Sequence, residues 1–334
     1  VKEAIFYKKL KENKVQCTAC NRYCVIEDGK IGNCGVRKNI GGKLQSLVYN
    51  RTLTLTVDPV EKKPLFHFRP GTHCLGISTF GCNFHCLHCQ NSDISQEFSE
   101  SKIGDIPQTT PKEIVERTLE AHAEGIAYTY TEPTVFAEYA LDTMKLASKK
   151  GLYNVWVSNG YMTRSVIDAI SPYLDAINID LKGNARFYKE VCGNVSAEKV
   201  MENIRYLHEK KIHDEITYLI IPGYNDNDSD IQKAVDFVAT VDKGMPLHFS
   251  RFFPQYKMNA VSPTPNAILQ RAREIAKKAG LQHVYLGNVG EEENTFCQKC
   301  NALLVRRIGY SVSIEGLKAN GACKNCGTKT GIVL

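Results

Sequence analysis

The stretch Phe80-Gly-Cys-Asn-Phe-His-Cys-Leu-His-Cys-Gln-Asn91 sets three thiols, Cys82, Cys86 and Cys89, in a C-x3-C-x2-C spacing directly after an apolar run, Leu75 to Phe80. Such a run reads as a buried strand. Three thiolates delivered by one loop can wrap a face of an iron–sulfur cubane and leave its fourth iron without a protein ligand. An open iron is a place where a small chelator can bind. A zinc knuckle or a reducible thiol cluster would use the same residues, but neither accounts for the strand that leads into the loop.

Working outward, strand and helix patterns alternate from Leu75 to about Val289. Thr110-Pro-Lys-Glu113 is a capping box with proline at the first helical position, and Gly125 stops the helix before a strand over 126–131. Phe136, Ala140, Met144 and Ala147 mark the inner stripe of the next helix, and Val155 to Ser158 the next strand. Further strands are expected over 176–180, 215–221, 247–252 and 284–289, with helices between them. Repeated βα units imply a parallel sheet curled into a barrel. Six units and a trailing strand predict an α/β fold, a partial (β/α)6 TIM-like barrel over 73–290.

In such a barrel the reactive groups gather at the C-terminal ends of strands. Those ends read Thr129-Tyr-Thr-Glu-Pro133, Ser158-Asn-Gly160 and Asp180-Leu-Lys182, while the sixth strand begins with His248. A nucleoside–amino acid ligand needs such a set. Glu132 would take an ammonium, Ser158 and Asn159 ribose hydroxyls, and Lys182, beside Asp180, a carboxylate. Polar residues also cap barrel rims without any ligand.

Thirteen cysteines are present, and eleven of them fall into three groups along the chain. In a reducing compartment such groups read as metal sites and not as disulfides. Cys17, Cys20, Cys24 and Cys34 lie within residues 1–72, on short loops that can close a zinc site; a second iron–sulfur cluster would accept the same four thiolates. Cys297-x-x-Cys300 and Cys323-x-x-Cys326, 22 residues apart, predict a zinc ribbon over 291–334. Cys74 and Cys192 stand alone and read as small buried hydrophobes. Residues 42–57 read as one or two strands. Residues 58–71 carry three prolines and read as an ordered loop, with Glu61, Lys62, Lys63 and His67 either solvated or lining the cluster's mouth.

With 334 residues, 43% of them hydrophobic, the chain can bury one large core plus small appendages. No apolar run approaches the roughly 18 residues of a membrane span, and no charged-then-apolar leader opens the sequence, so the expectation is a cytoplasmic protein without a membrane partner. A formal charge of +6, spread along the chain, permits an anionic partner without marking a nucleic-acid stripe.

S-adenosylmethionine (SAM) offers the amine and carboxylate that an open iron would take, and the strand with its cysteine loop resembles the signature of the radical SAM superfamily. That signature has an aromatic residue before the third cysteine, where this chain has His88. Residues 75–289 resemble the barrel of the pyruvate formate-lyase activating type: Thr131-Glu132-Pro133 stands where that family contacts the SAM amino group, Asp180-x-Lys182 matches its D-x-K element, and Ile221-Pro222-Gly223 its V-P-G strand. Over the full length the chain is more similar to the radical SAM enzymes of the AmmeMemoRadiSam system. The resemblance implies a [4Fe-4S] cluster and SAM as cofactors, and an electron donor such as flavodoxin or ferredoxin. The activase pattern has a histidine after the last strand's proline, where this chain reads Phe253-Pro-Gln-Tyr256. The expected activity is reductive cleavage of SAM to a radical that abstracts hydrogen from a small molecule, protein or nucleotide. Two other readings stand beside it: a glycyl-radical-enzyme activase, and a metal-rich protein- or RNA-binding module on a degenerate barrel.

Overall fold

The computed structural model describes residues 1–290 and 292–334. Its centre is an eight-stranded sheet whose neighbours follow the chain: β1 (Thr54–Pro59), β2 (His73–Ser78), β3 (Gly125–Tyr128), β4 (Tyr153–Ser158), β5 (Ala176–Asp180), β6 (His213–Ile220), β7 (Leu247–Arg251) and β8 (Val284–Gly287). Strands β2 to β8 run parallel, which gives the six expected βα units and trailing strand. The antiparallel strand β1 is an addition at the β2 edge.

Local chemistry starts the helices where the sequence reading put them. The Thr110 hydroxyl accepts from the Glu113 N–H and the Glu113 carboxylate accepts from the Thr110 N–H, closing the capping box of α1 (Pro111–Glu120). In α2 (Ala137–Lys149), Ala140, Met144 and Ala147 are fully buried against the sheet. Burying a side chain such as Met144 contributes about 1.5–3 kcal/mol.

Alternation along each strand sends side chains to two different cores. Ile77, Ile126, Trp156 and Ile177 pack outward in the large core, whereas Cys74, Ala127, Val155 and Ala176 face inward and meet Val60, Leu65 and Phe68. The proline-rich segment after β1 therefore fills the barrel at the N-terminal ends of its strands. Barrel side chains satisfy its backbone: Asn178 Nδ2 donates to the Pro64 carbonyl at 2.8 Å, and the Glu215 carboxylate accepts from the N–H groups of Phe66 and His67 at 3.0 and 2.7 Å. The sequence reading grouped 54–72 with the N-terminal module. The strand and the plug belong to the barrel instead, because their partners lie on β2, β5 and β6.

Three short antiparallel strands, Thr295–Phe296, Leu303–Ile308 and Ser311–Ile314, form the C-terminal module. Arg307, 1% exposed, seats it on the plug: its guanidinium donates to Thr295 Oγ1 at 2.7 Å and to the Phe66 carbonyl, and lies over the Phe66 ring. This module thus closes the floor, at the end of the barrel away from the cysteine loop.

The N-terminal residues form two three-stranded sheets that pack at the other end. Asn21 Nδ2 donates to the Met162 carbonyl just after β4, Arg22 donates to the carbonyls of Asn83 and Gly193, and Arg37 forms a buried bidentate pair with Glu138 on α2 at 3.0 and 2.6 Å. No described helix is long and apolar enough to cross a membrane.

Candidate active site

The loop after β2 carries Cys82, Cys86 and Cys89 at the C-terminal end of the barrel, and a second loop clamps it. The N–H of His85 donates to the Cys192 carbonyl at 3.1 Å and that of Leu87 to the Val191 carbonyl at 3.0 Å. Gly193, with φ +85°, must stay without a side chain, since a Cβ there would come within 2.8–3.3 Å of His85. Cys192, expected to be an inert core residue, is buried with its thiol beside Cys86. Nothing in its isolated position along the sequence signalled that contact.

Donors are directed at the loop's sulfurs. The Phe84 N–H points at Cys82 Sγ from 3.4 Å, Asn159 Nδ2 approaches the same sulfur at 3.9 Å, and the Ser95 hydroxyl lies 3.1 Å from Cys89 Sγ. His88 is buried against Phe187 at 5.9 Å between ring centroids. Burial, with the Lys182 charge nearby, lowers its pKa to about 3, so the ring is neutral and packs as the aromatic that the signature has there.

The strand ends converge on this loop, with roles that differ from those expected. Glu132 is 2% exposed and its carboxylate is already engaged: Oε1 accepts from the Thr134 N–H, the Thr134 hydroxyl and the Ser158 hydroxyl, and Oε2 from the Asn159 N–H. Burial raises its pKa, and these four donors oppose that rise. Asn159 Nδ2 donates to Asn83 Oδ1 at 2.7 Å, and Ser158 Oγ also accepts from the Gly160 N–H. Glu132, Ser158 and Asn159 therefore tie the ends of β3 and β4 to the cysteine loop. Their side chains are spent on one another, which leaves little of them for an ammonium or a ribose.

Asp180 and Lys182 keep a more open geometry. Lys182 Nζ lies 2.9 Å from Asp180 Oδ2, with side-chain exposures of 13% and 32%. Burial would lower the Lys182 pKa, but Asp180 and the neighbouring Cys86 hold it well above the usual range, so the ammonium stays charged beside the loop.

His248 is a correction. It stands near the start of β7, where its Nε2 lies 2.7 Å from Glu215 Oε2 beneath the plug. Burial would raise the Glu215 pKa, yet bonds with His213 and His248 hold it well below the usual range. His248 thus anchors the floor at the wrong end of its strand to meet a ligand. Glu61 and His67 are floor residues too. Lys63 does reach the lumen, where Asp58 lies at 2.7 Å and the Tyr130 hydroxyl at 3.3 Å. Burial would raise the Asp58 pKa, but Lys62, Lys63 and Tyr130 bring it to about 2.

The two outer cysteine groups differ from one another. All four sulfurs of Cys297, Cys300, Cys323 and Cys326 lie within 4.8 Å, the spacing of a single-ion site. Among the described residues no other set of three ligand atoms from His, Cys, Asp or Glu is so tight, so Cys17, Cys20, Cys24 and Cys34 are held further apart.

A family profile described as the Radical SAM superfamily matches residues 77–238, which contain the cysteine loop and the strand ends just described. The chain is 45% identical to the uncharacterized protein MJ0808 of Methanocaldococcus jannaschii, over the whole of both chains. This chain belongs to the radical SAM superfamily. It is also similar to the pyruvate formate-lyase 1-activating enzyme of Escherichia coli K12, at 25% identity over 60% of this chain and 87% of that one. A crystal structure of a radical SAM methyltransferase from Sphaerobacter thermophilus shares the fold, with a TM-score of 0.51 at 14% identity, covering 66% of this chain and 67% of that one.

The residues of this radical SAM enzyme fit the cluster that the family implies. Three thiols on one loop, more widely spaced than a single ion requires, with N–H donors directed at Cys82, suit a cubane's charged sulfurs. In the positioning role found for Glu132, Glu132→Gln replaces one acceptor oxygen by an NH2 facing donors. The expected result is a loss of about 1–3 kcal/mol in stability, even in protein without cofactors. Thermal unfolding of the apo form checks this; an unchanged midpoint would return Glu132 to direct ligand contact.

Proposed function

We propose that this enzyme binds a [4Fe-4S] cluster through Cys82, Cys86 and Cys89, binds SAM at the remaining iron, and cleaves it to methionine and a 5′-deoxyadenosyl radical that abstracts hydrogen from a second substrate. The cluster, when bound, supplies the electron for breaking a carbon–sulfur bond of SAM. The observation that carries the reading is the juxtaposition of the three-cysteine loop with the Asp180–Lys182 pair at one end of a lumen whose other end is plugged. The protein's part is to orient and to exclude water. Lys182 offers a charged donor to the SAM carboxylate, and the plug with the C-terminal module seals the floor. Zinc at the C-terminal cysteines would hold that seal as a structural ion. A one-electron donor of the flavodoxin or ferredoxin kind, and a cytoplasmic setting that keeps thiols reduced, belong to the same reading.

A glycyl-radical activase reading draws on the similarity to the Escherichia coli activating enzyme. Against it, Phe253-Pro-Gln-Tyr256 replaces the activase histidine, and the 218-residue match to that enzyme covers 60% of this chain, whereas the match to MJ0808 takes in both cysteine modules. The substrate is accordingly drawn from outside that class, which favours the AmmeMemoRadiSam resemblance.

Lys182→Met tests the pocket. Removing one charge-assisted contact should weaken SAM binding by about 1.5–3 kcal/mol, roughly ten- to a hundred-fold, with the iron content unchanged. Titration of SAM against the reduced cluster by electron paramagnetic resonance reads this directly. Wild-type affinity in the variant would remove Lys182 from the pocket.

A further inference from the structure

We infer that Cys17, Cys20, Cys24 and Cys34 hold a second [4Fe-4S] cluster, not a zinc ion. The chain contains its own standard for a zinc site. In the C-terminal module the sulfur pairs Cys297–Cys326 and Cys300–Cys323 stand 3.6 and 3.7 Å apart. A tetrahedron of thiolates at the ordinary zinc–sulfur distance of about 2.3 Å has an edge of about 3.8 Å, so that group is already closed to the size of one ion. The N-terminal group is not. Among the described residues, no three of its sulfurs come within 4.8 Å of one another, and all four line one pocket. A single zinc ion would leave sulfurs at that spacing out of reach, whereas a cubane carries its four thiolates on four separate irons and spans it.

A second observation points to the same occupant. Asn83 lines this cavity, is fully buried, and its side-chain nitrogen has no hydrogen-bond partner, while its oxygen accepts from Asn159. A buried amide donor without a partner is costly, and the sulfides and thiolates of a cluster accept such donors. Asn83 also follows Cys82 directly, and a Cβ on Gly81 would come within 2.7 Å of the Cys34 carbonyl. The two cysteine sets are thus adjacent, with Asn83 between them, and the N-terminal cluster is a redox group placed next to the SAM loop.

Metal content of the anaerobically loaded full-length chain is the test, and it does not depend on SAM turnover. Wild-type protein should hold about eight irons, about eight sulfides and one zinc. The triple variant Cys82→Ala/Cys86→Ala/Cys89→Ala should keep about four irons and, after reduction, a paramagnetic signal that SAM does not alter. Conversely, Cys17→Ala/Cys34→Ala should halve the wild-type iron while sparing the SAM-sensitive signal. A triple variant with no iron and two zincs would overturn the inference. If that variant does not accumulate, the wild-type count decides: about eight irons support the second cluster, and about four irons with two zincs overturn it.

Discussion

Cys86→Ala should lose the iron of the three-cysteine loop and reduce SAM cleavage to background while the chain stays folded. Two ligands cannot hold a cubane in place of three, and no acid or base elsewhere in the site replaces an electron-transferring group. Folding should survive because the loop is fixed by other contacts: His85 and Leu87 are held by backbone bonds to Cys192 and Val191, and Phe84, 1% exposed, sits in the main core. Iron and sulfide analysis beside circular dichroism and product chromatography checks all three parts. Cleavage at the wild-type rate in the variant would exclude Cys86 as a ligand.

Arg37→Met should be strongly destabilising, although it lies away from the three-cysteine loop. Arg37 and Glu138 form a bidentate pair with both side chains 2% exposed, and Arg37 also donates to the Val135 carbonyl. Removing one member strands the Glu138 charge without its guanidinium partner, which costs about 3–5 kcal/mol. The pair joins the N-terminal sheets to helix α2, so the loss should loosen that module from the barrel. Replacing both residues, Arg37→Met with Glu138→Leu, should recover much of the stability, since no buried charge then remains. Denaturant titration of the single and double variants measures it. A loss below about 1 kcal/mol in the single variant would be the value of a solvent-exposed pair and would contradict the buried geometry.

The barrel was legible because its elements are specified locally. The capping box at Thr110, the stripe Ala140–Met144–Ala147 and the polar ends of successive apolar runs each report on residues within a few positions of themselves. The cysteine loop was legible for the same reason. What escaped depends on partners far away in the chain. Glu132 looks like a free carboxylate until Ser158 and the Asn159 N–H, 26 and 27 residues on, are seen to occupy it. His248 was placed with the ligand set although it opens its strand; at that end Glu215, 33 residues earlier, holds it in the floor. Residues 58–71 read as an ordered loop whose charged side chains were either solvated or at the cluster's mouth. Their role as a plug rests on Asn178 and Glu215, more than a hundred residues later.

Reductive cleavage of SAM is tested most directly by product analysis of anaerobically loaded, chemically reduced full-length protein incubated with SAM alone. The proposed cleavage yields methionine and 5′-deoxyadenosine in equal amounts, dependent on reductant and absent in Cys86→Ala. A reduced, fully iron-loaded protein that forms neither product, and whose paramagnetic signal SAM leaves unchanged, would contradict it.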